Sequence, residues 1–192
     1  MISNISVFCA SSSKLNSVYF RAAEKLGVLL SQNKLSVYYG GGRVGLMGKL
    51  ADTILAHNGN ITGVIPDFMV AQGWNHPDVE QVVVPDMHER KKYLTRIADA
   101  IVALPGGVGT MEELLEVITL KQLGKVLVPI IIVNTSGYFN TLLSFFNQMI
   151  EQGFMRQEHR NIWSVVNDPG DVLEAIADAP AWDGSIIKIA QV

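Results

Sequence analysis

The feature that most constrains this chain is an alternation. Short runs rich in β-branched and aromatic residues are separated by segments of helical period, the pattern of a parallel sheet covered by helices. Strands are read at Ile5–Cys9, Leu35–Tyr39, Asn60–Ile65, Gln81–Val84, Ala100–Leu104, Val128–Val133 and Ile162–Val166, with helical patterns over 17–32, 46–58, 87–99, 110–123, 138–152 and 169–179. The expected fold is α/β: a Rossmann-like, doubly wound parallel sheet flanked by helices, as one nucleotide-binding domain over 1–192. A chain of 192 residues with 48% hydrophobic content is long enough to bury a full core. Pro66–Glu80 is the only long connection, and its Gly73-Trp74-Asn75-His76-Pro77-Asp78 stretch suits a surface loop that covers a site.

Bulk properties remove several function classes. A formal net charge of −3 argues against a broad nucleic-acid footprint. One cysteine, Cys9, excludes a disulfide framework, and His57, His76, His88 and His159 show no metal-ligand spacing. The N-terminal residues lack the basic flank and apolar run of a signal peptide, and no apolar run reaches membrane-spanning length. A soluble cytoplasmic protein is expected.

Ligands of open parallel sheets bind beyond the carboxyl ends of the strands, so the loops that follow strands come first. Three are unusual: Ala10-Ser11-Ser12-Ser13-Lys14, Gly40-Gly41-Gly42-Arg43-Val44-Gly45-Leu46-Met47-Gly48, and Pro105-Gly106-Gly107-Val108-Gly109-Thr110. A serine of the first either caps the next helix or touches a ligand. The two glycine loops each follow a strand and open a helix, where free N–H groups and the helix dipole favour a phosphate. Gly40–Gly45 also matches G-x-G-x-x-G, but after the second strand rather than the first, which weakens a dinucleotide reading. The Walker pattern is absent.

Charges point the same way. Asp86 and Glu89 form a capping box for the helix near Met87, yet Arg90, Lys91 and Lys92 follow at once, against the helix dipole. They are either a solvated basic face or the seat of an anion, with Arg90 suited to hold it by its planar fork of donors. In Thr110-Met111-Glu112-Glu113, Thr110 and Glu113 form a second capping box. Glu113 could equally stabilise the oxocarbenium character of a breaking N-glycosidic bond, or orient water.

Taken together, GGGRVGLMG (Gly40–Gly48), MHERK (Met87–Lys91) and PGGVGTMEE (Pro105–Glu113) resemble the Lonely Guy family, the cytokinin riboside 5′-monophosphate phosphoribohydrolases, often mislabelled lysine decarboxylases. The resemblance spans nearly the whole chain, and PGGxGTxxE is its specific signal. It implies a homodimer without organic cofactor or metal that releases base and ribose 5-phosphate from a nucleoside 5′-monophosphate. By motif position the catalytic pair falls on Arg90 and Glu113. Substrate contacts fall on Lys91, Gly106, Gly107, Val108, Gly109, Thr110, Met111, Glu112, Glu113 and Thr119, with Ser12, Gly41, Gly42 and Met87 beside them. The chain departs from many members in lacking a glutamate within Val70-Ala71-Gln72-Gly73, and in carrying Leu120 where relatives often have tryptophan; both bear on base preference. A pyridoxal enzyme would need a Schiff-base lysine and a large cofactor domain, and neither signature is present. The rivals are a non-catalytic nucleotide or cofactor carrier on the same fold and, more remotely, an NAD-dependent oxidoreductase.

Overall fold

The computed structural model describes residues 2–189. Seven strands, β1 (Asn4–Phe8), β2 (Ser36–Tyr39), β3 (Asn60–Pro66), β4 (Glu80–Val84), β5 (Ala100–Ala103), β6 (Ile130–Val133) and β7 (Ser164–Val166), form one parallel sheet in the order β4-β3-β2-β1-β5-β6-β7. The intervening helices are α1 (Ser17–Gln32), α2 (Gly45–Ala56), α3 (Asp67–Ala71), α4 (Met87–Ile97), α5 (Val108–Gln122), α6 (Asn140–Glu151) and α7 (Val172–Ala177). The chain starts at β1, works outward to β4, then returns to lay β5 on the other side of β1. That reversal opens a crevice above the carboxyl ends of β1 and β5.

Why the central strands read as unbroken apolar runs is visible in their two faces. Ile5, Val7, Ala100, Val102, Ile131 and Val133 pack with Ala23, Leu26 and Leu30 of α1, Leu46, Leu50 and Ile54 of α2, and Val172 and Ile176 of α7. The alternate residues Phe8, Ile101, Ala103, Ile130 and Ile132 pack with Leu94 of α4, Leu114, Val117 and Ile118 of α5, and Phe146 and Ile150 of α6. Both faces are covered, so both parities of the strand are apolar. Ser6 is the fully buried polar residue of β1, and its hydroxyl donates to the Leu94 carbonyl of α4 (2.6 Å).

All seven expected strands are present; the differences lie at ends and short turns. Pro66–Glu80 is not loop throughout, because the backbone after Pro66 closes the short helix α3, which begins at Asp67. The expected strand Ile162–Val166 shrinks to Ser164–Val166, since Gln157–Asn161 form a 3-10 turn closed by buried His159. The last helical pattern divides into a 3-10 turn, Pro169–Asp171, and α7. Among the described residues, no helix is long and apolar enough to cross a membrane.

Candidate active site

The three unusual loops meet above the switch point and are tied to one another by backbone hydrogen bonds. The Ala10 N–H donates to the Pro105 carbonyl (3.2 Å), and the Ala10 carbonyl accepts from Leu46 (2.9 Å) and Met47 (3.2 Å). Gly45, with φ of 70°, lies so close beneath Ser11 and Ser12 that a Cβ there would come 2.5 Å from the Ser11 carbonyl carbon. The capping reading of that loop's serines does not hold, because Asn16 caps α1 by accepting from the Val18 N–H (3.1 Å).

These bonds separate the two glycine loops. At α2 the N–H groups of Leu46 and Met47 already end on Ala10, so that helix offers a bound anion little. At α5 the N-cap is Gly107, and the first N–H to turn back into the helix is that of Met111, onto the Gly107 carbonyl (3.0 Å). The N–H groups of Val108, Gly109 and Thr110 therefore have no partner within the helix. A Cβ at Gly107 or Gly109 would meet nothing within 4 Å, so the approach is open. That open N-terminus is the candidate anion seat.

Gly40, Gly41 and Gly42 shape the wall of the site. A Cβ on Gly40 would come 1.9 Å from Nη2 of Arg90; the missing side chain makes room for the guanidinium. Gly41 (φ 76°) lies behind the site against Ile65 and Gln81, its carbonyl accepting from the His76 N–H (2.9 Å). Gly42 lines the cavity and bridges to Asn75.

Arg90 turns inward from its helical turn, so the reading of a solvated basic face does not hold for it. It is buried, its Nε donating to the Val64 carbonyl (3.0 Å) and its Nη2 to the Gly40 carbonyl (3.3 Å). Its Nη1 lies 3.0 Å from Oε1 of Glu113, whose side chain is equally buried. Burying a guanidinium is tolerable only with its donors satisfied and an opposite charge beside it, and here both conditions are met. Lys91 is held by Glu112 (2.8 Å) and Glu116 (3.2 Å), and Lys92 by Glu89 (3.0 Å). The first-turn cations of α4 are thus matched by carboxylates, most of them from α5, and no free basic face results. The match also explains why acids beside an anion seat are tolerated: Glu112 and Glu113 are neutralised by α4.

The capping box expected at Thr110 and Glu113 is absent. The helix begins two residues earlier, Thr110 lies inside it and packs over Gly106, and Glu113 is turned to Arg90 instead of the backbone. Burial pushes the Glu113 carboxyl above its ordinary range, opposed by Arg90. The Cys9 thiol, next to this pair, is raised by burial and then by the Glu113 charge, so it stays a protonated wall residue rather than a nucleophile.

A cavity of about 620 Å³ joins these parts. Gly107, Val108, Gly109 and Thr110 form one side, Arg90 and Glu113 lie in its wall with Met87, and Met47, Ile65, Met69 and Trp74 give an apolar side. Of the expected contacts, Gly106 is buried beneath the seat and Met111 packs partly into the core. Ser12 is exposed, its hydroxyl accepting from the Lys14 N–H (3.2 Å); Ser11 lines the cavity instead. Lys91 and Glu112 stand beside the cavity, not in its wall. Thr119 lies on the outer face of α5, its hydroxyl donating to the Leu115 carbonyl (2.8 Å). Cys9, Met47, Ile65, Met69 and Trp74 were not among the expected contacts, although Cys9 ends the first expected strand and Met47 and Trp74 lie in the expected glycine and covering loops.

The family model described as "Possible lysine decarboxylase" matches residues 47–176. A probable cytokinin riboside 5′-monophosphate phosphoribohydrolase of Oryza sativa subsp. japonica is 41% identical over 177 residues, covering 91% of this chain and 72% of the relative. A cytokinin riboside 5′-monophosphate phosphoribohydrolase of Arabidopsis thaliana is 37% identical over 186 residues, covering 96% and 82%. Among solved structures, the molybdenum cofactor carrier protein of Chlamydomonas reinhardtii superposes with a TM-score of 0.71 at 17% identity, covering 93% of this chain and 98% of that one. The molybdenum cofactor binding protein of Rippkaea orientalis gives 0.69 at 19%, covering 92% and 96%. At such identities the structures speak for the fold alone. The sequence relatives, covered over most of their own length, decide the family: this chain belongs to the Lonely Guy family, that of the cytokinin riboside 5′-monophosphate phosphoribohydrolases.

Proposed function

We propose that this protein hydrolyses the N-glycosidic bond of N6-modified adenosine 5′-monophosphates, releasing the free base and ribose 5-phosphate. The observation that carries the reading is the buried Arg90–Glu113 pair (3.0 Å) in the wall of a cavity that also contains the open N-terminus of α5. The N–H groups of Val108, Gly109 and Thr110 take the 5′-phosphate, which directs the ribose toward Glu113. There the carboxylate stabilises the positive charge that grows on the sugar as the base departs, or orients the attacking water. Arg90 holds that carboxylate in place and faces the substrate. The apolar side formed by Met47, Met69 and Trp74 receives the base and its N6 substituent.

On this reading the chain acts as one nucleotide-binding unit over 1–192, in the cytoplasm, without cofactor, nucleic acid or membrane. It works as a homodimer. Val108, Leu115 and Leu123 are exposed at spacings of seven and eight residues, one face of α5, and Thr119 belongs to that face. A second copy docked there would bring Thr119 near a neighbouring cavity.

The test is incubation with AMP and with N6-isopentenyl-AMP, followed by detection of base and ribose 5-phosphate. Turnover of the prenylated nucleotide, with the matching nucleoside much poorer, is expected. Tight nucleotide binding without base release would replace hydrolysis with the carrier reading.

A further inference from the structure

The β6–α6 turn sends one side chain back to the anion seat. The Tyr138 hydroxyl donates to the Gly106 carbonyl, across 32 residues of chain. In a trans peptide the carbonyl and the following N–H point in opposite directions. Fixing the Gly106 carbonyl on Tyr138 therefore aims the Gly107 N–H away from Tyr138. A rotated peptide would present the carbonyl oxygen to an incoming anion and repel it. We propose that Tyr138 is a positioning residue: its hydroxyl locks the Gly106–Gly107 peptide so that the Gly107 N–H joins those of Val108, Gly109 and Thr110 at the seat. The inference rests on the reading of that seat as the 5′-phosphate site.

The turn is built for this delivery. Ser136 (φ 55°) and Gly137 (φ 71°) are both left-handed, a conformation that is unfavourable for a non-glycine residue and persists only where the surroundings enforce it. Asn134 enforces it. Its carbonyl accepts from the Gly137 N–H (3.0 Å), its Oδ1 accepts from the Phe139 N–H (2.8 Å), and its Nδ2 donates to Asn140 (2.8 Å). The Tyr138 ring is wedged edge-on between Tyr19 (5.9 Å) and Phe139 (5.0 Å), which fixes where the hydroxyl points. From the other side, a Cβ on Gly106 would come 2.0 Å from the Thr110 hydroxyl. The peptide is held between Tyr138 and Thr110.

Tyr138→Phe removes one oxygen and keeps the ring contacts. Expected is a fall of roughly tenfold in kcat/KM for N6-isopentenyl-AMP, with kcat/KM for the corresponding nucleoside unchanged. The Kd of ribose 5-phosphate, measured by calorimetry, should rise by the same factor, and this arm needs no turnover. Tyr19→Phe is the control and should alter neither. If Tyr138→Phe weakens phosphorylated and unphosphorylated ligands alike, or weakens neither, the positioning role is wrong. If the wild type itself ignores the phosphate, the phosphate seat fails first and the inference falls with it.

Discussion

Gly40→Ala disturbs the proposed catalytic pair without removing any functional group. Gly40 does not have a left-handed φ, so alanine suits its backbone, and the only obstacle is space. The new methyl would sit 1.9 Å from Nη2 of Arg90 and 3.1 Å from both its Cζ and the Met47 sulfur, whereas ordinary contact begins at 3.4 Å. The guanidinium must retreat by about 1.5 Å. That displacement exceeds what the 3.3 Å bond to the Gly40 carbonyl and the 3.0 Å contact with Glu113 can absorb. Misplacement of reacting groups by ~1 Å costs about 10²-fold in rate, so kcat for N6-isopentenyl-AMP should fall at least that far. Breaking a buried pair costs about 3–5 kcal/mol, so the thermal midpoint should drop by several degrees as well. Gly42→Ala is the comparison: the nearest neighbours of its methyl would be Met47 atoms, the closest at 3.2 Å, and a flexible thioether yields easily. Turnover within about threefold of wild type is expected there. A Gly40→Ala enzyme with normal turnover and an unchanged midpoint would refute the reasoning. Equal losses in both variants would return the loop to direct phosphate binding.

Three further outcomes follow from the structure. The folded protein takes up the Glu113 proton before the unfolded chain does, so this group's contribution to stability declines as pH rises from the ordinary glutamate value to the raised folded one. Glu113→Gln should abolish that slope and lower kcat by about 10² or more; stability–pH curves of wild type and variant that run parallel as pH rises above the ordinary glutamate value would count against it. Lys121 is buried with its ammonium donating to the Val128 carbonyl (2.8 Å), and burial lowers its pKa to about 8. Between that value and 10.5 the unfolded chain holds the proton more tightly, so wild-type stability should gain on Lys121→Met as pH climbs through this window. An equal stability difference between the two proteins in urea titrations at pH 8 and 10 would exclude it. Leu123→Lys should give a monomer by sedimentation, and a variant dimer as tight as wild type would move the interface off α5.

The alternation of apolar runs made the sheet legible, because strands covered on both faces are apolar at every position, as in Ala100–Ala103 and Ile130–Val133. Short elements were harder to read. The five residues of α3 carry too little periodicity to stand out behind Pro66, and β7 loses its first two expected residues to a turn closed by His159. At the site, the chemistry of Arg90 and Glu113 was legible as an oddity of charge placement, but their orientation was not. Whether a first-turn arginine points outward or inward depends on carbonyls distant in sequence, Val64 and Gly40, and local spacing carries no trace of them. For the same reason the capping box at Thr110 was convincing and absent, since Glu113 had a stronger partner elsewhere.

The guanidinium of Arg90 joins β3, the turn after β2, α4 and α5 at one point. A rivet of this sort makes architecture and chemistry hard to evolve apart. A descendant that gave up hydrolysis could not simply let the arginine go; it would have to refill the hole with other side chains and find new donors for two stranded carbonyls. Designers seeking an inert binding protein on this backbone meet the same obligation, because a guanidinium left buried without its carboxylate is costly as well.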